Sequence, residues 1–197
     1  MKRRWIAAGL AGGMVAFAWS FLSWMVFPWR DGLFERVGDE QALVETVGKQ
    51  MPKRGIYLLP APPRLREVPF AERKQAEETF LRRKLSGPGG FFVVNPAGMP
   101  SFGPALAIGF ATHLLGAFLI LLVLSLLKPM NVWSQAATSA MLGLLVGVLA
   151  HVPEWNWWGF PFAFVATEIL DLVVGWFAAG LAMACLIPSK ATNDSAR

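Results

Sequence analysis

The residues best suited to chemistry are three ionisable side chains within otherwise apolar stretches. Glu168 and Asp171 are three residues apart, a spacing that places both carboxyl groups on one face of a helix. His113 lies in a different apolar stretch. Counted at about 1.5 Å per helical residue, the three groups fall roughly 9 to 13 Å from the same side of a bilayer. We therefore predict one intramembrane polar cluster of His113, Glu168 and Asp171.

Four interpretations of this cluster are open, because ionisable groups are costly in a bilayer. It can be structural, with the carboxyl groups protonated or hydrogen-bonded to His113, Thr112 and Thr167. It can be a proton or cation site, since relays use paired acids with histidine. A metal site is the third interpretation, although HExxH and ExxH spacings are absent. The fourth is a pocket for a lipid or quinone head group.

No bound metal or cofactor is predicted, and the protein is not expected to be an enzyme. His113 and His151 fall at different depths, which disfavours a haem with two histidine ligands. The sequence contains no GxSxG, P-loop or Rossmann glycine pattern. The single cysteine, Cys185, allows no disulfide within the chain. The net charge of +5 does not indicate nucleic-acid binding, because charges of both signs alternate along the most charged segment.

Long apolar stretches must position these side chains. Hydrophobic residues make up 55% of the 197 residues and charged residues 16%, whereas soluble domains carry roughly a quarter charged residues. A membrane-spanning helix needs about 20 apolar residues, and four stretches qualify: 5–27, 104–127, 133–152 and 162–187. We predict an all-α membrane protein with four transmembrane helices and a small α+β extracytoplasmic segment between the first two.

This prediction divides the chain into four parts. They are the N-terminal end with the first span (1–29), the extracytoplasmic segment (30–103), the other three spans (104–187) and a cytoplasmic tail (188–197). The first span could instead be a signal peptide cleaved after residue 18. We favour an uncleaved anchor, because the apolar run continues through "WSFLSWMVF".

The positive charges predict the orientation. Lys2, Arg3 and Arg4 precede the first span, Lys128 lies between the second and third, and Lys190 follows the fourth. The loop predicted over 153–161 has no Lys or Arg. By the positive-inside rule both termini are cytoplasmic and this loop is outside.

The predicted outer loop, "EWNWWGFPF", is rich in tryptophan. Tryptophans are enriched at membrane interfaces, and we assign this role to Trp24, Trp29, Trp155, Trp157 and Trp158. We expect His151, Glu154 and Asn156 to form an outer rim over the polar cluster. Two glycine pairs have the spacing that allows close helix packing: Gly9 with Gly13, and Gly143 with Gly147. We place this packing within one four-helix unit rather than between copies of the chain.

The extracytoplasmic segment is expected to fold only in part. Helical spacing is predicted from Leu33 to Val47, broken at Gly38 and restarted by Asp39 as an N-cap. A second helix is predicted over 70–85, and the runs "GIYLLP" and "GGFFVVNP" read as short strands that pair. A segment of this size buries a small core at best, so we expect it to contact the membrane surface, the span ends or a partner.

Several short stretches resemble an uncharacterised family of bacterial four-span inner-membrane proteins. They are "AGLAGGMVAFAWSF", "GIYLLP", "GPGGFFVVNPAG", "EWNWWGFP" and "LDLVVGWFAAGL". The resemblance implies four spans and a bacterial inner-membrane location, with no activity to carry over. The first functional hypothesis is a non-enzymatic accessory or binding protein, in contact with lipid and either other membrane subunits or copies of itself. The alternative is a small proton- or cation-coupled transport protein that uses His113, Glu168 and Asp171.

Overall fold

The computed structural model describes residues 2–187, so the predicted cytoplasmic tail lies outside the described residues. The helices are α1 (Lys2–Met25), α2 (Glu40–Gln50), α3 (Arg73–Ser86), α4 (Phe102–Leu126), α5 (Val132–Trp158) and α6 (Phe162–Leu186), and the strands are β1 (Gly55–Leu59) and β2 (Gly90–Val94). The chain divides into two compact units. The helical bundle comprises the residues up to 35 and from 100 onward, and the inserted unit comprises residues 36–99.

Four helices of the bundle, α1, α4, α5 and α6, are long and apolar enough to cross a membrane. The prediction of four long apolar helices is therefore confirmed. Helix α6 packs against α5 on one side and α1 on the other, and α4 packs against α1. The order round the bundle is thus α5, α6, α1, α4, and α4 also contacts α5. Because α1 and α6 each have two extensive helix neighbours, we call them the central pair.

Glycines allow close approach at two of these helix contacts. A Cβ atom added to Gly143 would lie 2.7 Å from the carbonyl oxygen of Leu172, and one added to Gly147 would lie 3.2 Å from the Cα of Ile169. Between α1 and α4, a Cβ on Gly13 would lie 2.8 Å from the Cα of Leu114. These glycines, and Gly9 against the Phe118 ring, lie at helix contacts within one chain.

Helix α5 is longer than the sequence indicated. It continues through Pro153 to Trp158, so the prediction of a loop over 153–161 is wrong for its first six residues. Gly159 ends the helix with φ 74°, and its N–H bonds to the carbonyl of Glu154, as glycine commonly does after a last helical turn. Only Gly159, Phe160 and Pro161 separate α5 from α6.

The inserted unit contains α2, α3 and the two strands. The side chain of Asp39 accepts a hydrogen bond of 2.9 Å from the Ala42 N–H, which confirms the predicted N-cap. Strands β1 and β2 pair antiparallel, with Tyr57 opposite Phe92, which confirms the predicted pairing. The helix predicted before Gly38 is wrong: residues 33–38 are not helical. The stretch between the turn at Arg30 and Gly38 is too short to nucleate a stable helix.

Candidate functional site in the helical bundle

Arg30 is the central residue of the polar cluster, and sequence reasoning did not single it out. After α1 ends, Pro28–Arg30 form a short 3-10 helix, helped by the fixed φ of proline. The indole N–H of Trp29 donates to the Ser23 carbonyl at 3.0 Å, which ties this turn back onto α1. Arg30 is consequently buried, with only 4% of its surface exposed.

The guanidinium of Arg30 binds both carboxylates of α6. Its Nη1 pairs with Oε1 of Glu168, and its Nη2 lies 3.2 Å from Oδ2 of Asp171. Glu168 and Asp171 are themselves buried and face Arg30 together because they are three residues apart on one helix. A buried carboxylate needs such a partner, because an unpaired charge in an apolar interior is very costly.

Arg30 also contacts two side chains of α1, those of Ser23 and Trp24. Its Nε and Nη2 each lie 3.4 Å from Oγ of Ser23. Its Cζ lies 3.9 Å from the centre of the Trp24 ring, a cation–π geometry. The guanidinium therefore contacts α1 through an aromatic face and a hydroxyl, and contacts α6 through two carboxylates.

Asp171 has a second donor from α1. The indole N–H of Trp19 lies 2.8 Å from Oδ1 of Asp171 and 3.2 Å from its backbone carbonyl. The cluster thus joins the two central helices of the bundle. We call it the Arg30 network, and its members are Trp19, Ser23, Trp24, Arg30, Glu168 and Asp171.

The hydrogen-bond partners expected for the carboxyl groups are wrong. Thr112 and Thr167 donate to carbonyls of their own helices, those of Ile108 and Ala163, each at 2.8 Å. His113 also uses its Nδ1 within its own helix, 2.7 Å from the Gly109 carbonyl. The side chains of Arg30 and Trp19 take the place of these predicted partners.

A cavity of about 150 Å³ is lined by His113 and His151 together with residues of the Arg30 network. His113 packs against Trp176, with ring centroids 6.4 Å apart. The walls of the cavity also include Glu168 and Asp171. The three residues of the predicted intramembrane cluster therefore line one cavity.

The predicted rim residues have different positions. Nδ1 of His151 lies 2.7 Å from Oε2 of Glu154, one helical turn further along α5. His151 lines the cavity. Asn156 is exposed and is not part of the cavity wall, because α5 remains helical and turns this residue away.

The predicted interface tryptophans divide into two groups. Trp24 and Trp29 belong to the packing around the Arg30 network, where Trp29 contacts Trp19 and Phe27 through their rings. Trp155, Trp157 and Trp158 lie in the last turns of α5 and are largely exposed. Because α1 ends where α6 begins, both groups lie at one end of the bundle, which we call the tryptophan-rich end.

The arrangement holds two carboxyl groups against one guanidinium, and it is rich in hydrogen-bond acceptors. With both carboxylates ionised, one guanidinium leaves the network one negative charge in excess. Within residues 2–187, no three His, Cys, Asp or Glu side chains come together as metal ligands. The signal for Arg30 was present in the sequence, since an arginine follows the first span closely and two intramembrane acids require a cation.

No protein-family model, curated protein or solved structure matches the chain.

Proposed function

We propose that the protein is a non-enzymatic multi-pass membrane protein that presents its inserted unit to a partner protein. The observation that carries this proposal is the burial pattern of residues 36–99: the unit has two helices and a paired sheet, yet none of its side chains is buried. Such a unit buries too little apolar surface to be stable alone. A partner that covers its apolar side chains would supply the missing burial.

The sheet of the inserted unit offers the clearest contact surface. Ile56 and Val93 are directly opposite each other in the register, and they are 66% and 73% exposed. Outside the sheet, Phe70 just before α3 and Leu85 within α3 are each 86% exposed. Within the described residues the sheet has two strands, and a two-stranded sheet is marginal in water. Exposed apolar residues on a sheet of this kind favour protein contact.

The helical bundle suits the role of an anchor for this unit. The Arg30 network fixes the chain six residues before Arg36, where the inserted unit begins. A buried ion pair of this kind resists rearrangement, because separation would leave charges uncompensated. The chain just ahead of the inserted unit is thus anchored within the bundle.

We further propose a bacterial inner-membrane location with the tryptophan-rich end outside. Lys2, Arg3 and Arg4 open α1, and Lys128 lies between α4 and α5, at the opposite end of the bundle. The positive-inside rule then places both termini in the cytoplasm. In this orientation the inserted unit is extracytoplasmic, and its partner is another membrane or extracytoplasmic protein.

The partner contact predicts a defined hetero-complex in native membranes. Native mass spectrometry of membrane vesicles should detect the wild-type chain with one stoichiometric second protein. The double variant Ile56→Asp with Val93→Asp should lose that protein, because two charges then lie on the apolar contact surface. The matched control, Gln50→Asp with Gln75→Asp, adds the same charge at exposed polar positions and should keep the complex. Retention by both variants, or a wild-type chain without a second protein, would refute the proposal.

A second candidate function is proton- or cation-coupled transport, and the cavity lined by His113, Glu168 and Asp171 favours it. This candidate predicts that the purified chain in liposomes carries a flux driven by a pH gradient. Asp171→Asn should abolish the flux, and Thr167→Val should preserve it, since Thr167 donates only to its own helix. Liposomes that show no wild-type flux above protein-free liposomes would exclude the candidate.

A further inference from the structure

Both histidines of the cavity have their Nδ1 atoms occupied. The partner of His113 Nδ1 is the Gly109 carbonyl at 2.7 Å, and a carbonyl can only accept. The partner of His151 Nδ1 is the Glu154 carboxylate, also at 2.7 Å. In each neutral imidazole the proton is therefore on Nδ1, and Nε2 is left as a hydrogen-bond acceptor. Both imidazoles line the cavity, and in each of them Nε2 is the ring nitrogen left to accept a hydrogen bond.

Glu168 adds a third acceptor. Its Oε1 pairs with Arg30, whereas within residues 2–187 its Oε2 has no protein donor. Glu168 is 9% exposed, and it lines the cavity. Two carboxyl groups share one guanidinium here, so the cavity favours a ligand that is positively charged and donates hydrogen bonds.

Aromatic rings form much of the remaining wall. Trp19, Trp24 and Trp176 line the cavity, and the face of an indole ring attracts cations. The Arg30 guanidinium already lies over Trp24 at 3.9 Å, so a cation–π contact exists at the edge of this site. Tryptophan also provides apolar contact for a short carbon chain.

We propose that this cavity is a binding site for a small N–H cation of the ammonium class, such as ammonium or a short primary amine. Two imidazoles, a carboxylate and three indole rings line this cavity together, and they suit the N–H bonds, the positive charge and the short carbon chain of such a cation. A metal ion fits less well, because no three metal-ligating side chains come together in the described part of the chain. The cavity volume of about 150 Å³ holds a few groups the size of water. The site does not depend on the partner contact of the inserted unit.

Ligand binding at this site can be followed through the histidine resonances, because the chain contains only two histidines. The full chain, purified without a histidine tag and labelled with ¹⁵N-histidine, would be placed in lipid nanodiscs. Methylammonium would be titrated at constant pH and ionic strength while the imidazole ¹⁵N resonances are recorded by NMR. We expect saturable shifts of both Nε2 resonances. Tetramethylammonium, which has the charge but no N–H, should cause no saturable shift.

Variants separate binding from a general salt effect. Glu168→Gln and His151→Leu should each weaken methylammonium binding by about tenfold or more, the loss expected for one hydrogen bond to a charged group. His151→Leu leaves every ion pair of Arg30 in place, so it tests the site even if Glu168→Gln does not fold; its binding is read from the His113 resonances. Thr167→Val should bind as wild type does. Equal shifts with tetramethylammonium, or no saturable shift at millimolar methylammonium, would overturn the proposal.

Discussion

Replacing Arg30 with methionine is expected to lower the free energy of unfolding by about 3–5 kcal/mol, the loss seen when one partner of a buried ion pair is removed. Arg30→Met leaves the carboxylates of Glu168 and Asp171 buried without their shared cation. It also removes the donors to Ser23 Oγ and the cation over Trp24. The measurement is equilibrium unfolding of the purified chain in mixed micelles, followed by tryptophan fluorescence.

A control and a rescue make this prediction specific. Arg4→Met removes an exposed arginine at the start of α1 and should leave the free energy of unfolding within about 0.5 kcal/mol of wild type. Adding Glu168→Gln and Asp171→Asn to Arg30→Met should restore much of the lost stability. Neutral replacement of a whole buried ion cluster is often tolerated, whereas removal of one member is not.

Two results would contradict the argument. If Arg30→Met is as stable as Arg4→Met, the ion pairs do not stabilise the bundle. If the triple variant is less stable than Arg30→Met, the penalty does not come from uncompensated carboxylates. Either result would also weaken the proposed role of the Arg30 network in anchoring the chain ahead of the inserted unit.

The membrane helices were predictable because their signal is local. Apolar residues occur in blocks long enough to span a bilayer, and the structure has a long apolar helix over each block. The end of α5 was less predictable, because Pro153 usually terminates a helix. Gly159 followed by Pro161 was the better signal, since a C-terminal glycine and a following proline mark a helix end. The short strands were predictable from Gly and Pro punctuation, and their pairing is confirmed.

The candidate site was predictable only in part. Glu168 and Asp171 could be grouped because their spacing defines one helix face, and depth counting added His113. Their main partner, Arg30, lies 138 residues from Glu168 in the sequence, and it reaches the site because a short turn after α1 folds back onto the bundle. The spacing of residues along the chain does not show that a distant segment folds back in this way. The physical requirement for a cation beside two buried acids does indicate it.

Gly143→Ala is expected to lower the free energy of unfolding by about 1–3 kcal/mol, the usual cost of adding atoms to a closely packed interior. The added Cβ would lie 2.7 Å from the Leu172 carbonyl oxygen and 3.0 Å from Cδ1 of Trp176. The carbonyl belongs to the backbone of α6, so α5 and α6 must move apart. Leu172 and Trp176 also line the cavity, so the same variant should weaken methylammonium binding.

A graded series of glycine variants tests the cause of this loss, with the same unfolding measurement. At Gly147 the nearest atom to an added Cβ is 3.2 Å away, and at Gly109 it is 3.8 Å away. Stability should therefore fall most for Gly143→Ala, less for Gly147→Ala and not at all for Gly109→Ala, where alanine meets only ordinary contact. If the Gly143 face instead joined two copies of the chain, Gly143→Ala would change the oligomeric state while leaving the stability of the monomer intact. Equal stability of all three variants would show that close packing of α5 on α6 does not hold the central part of the bundle together.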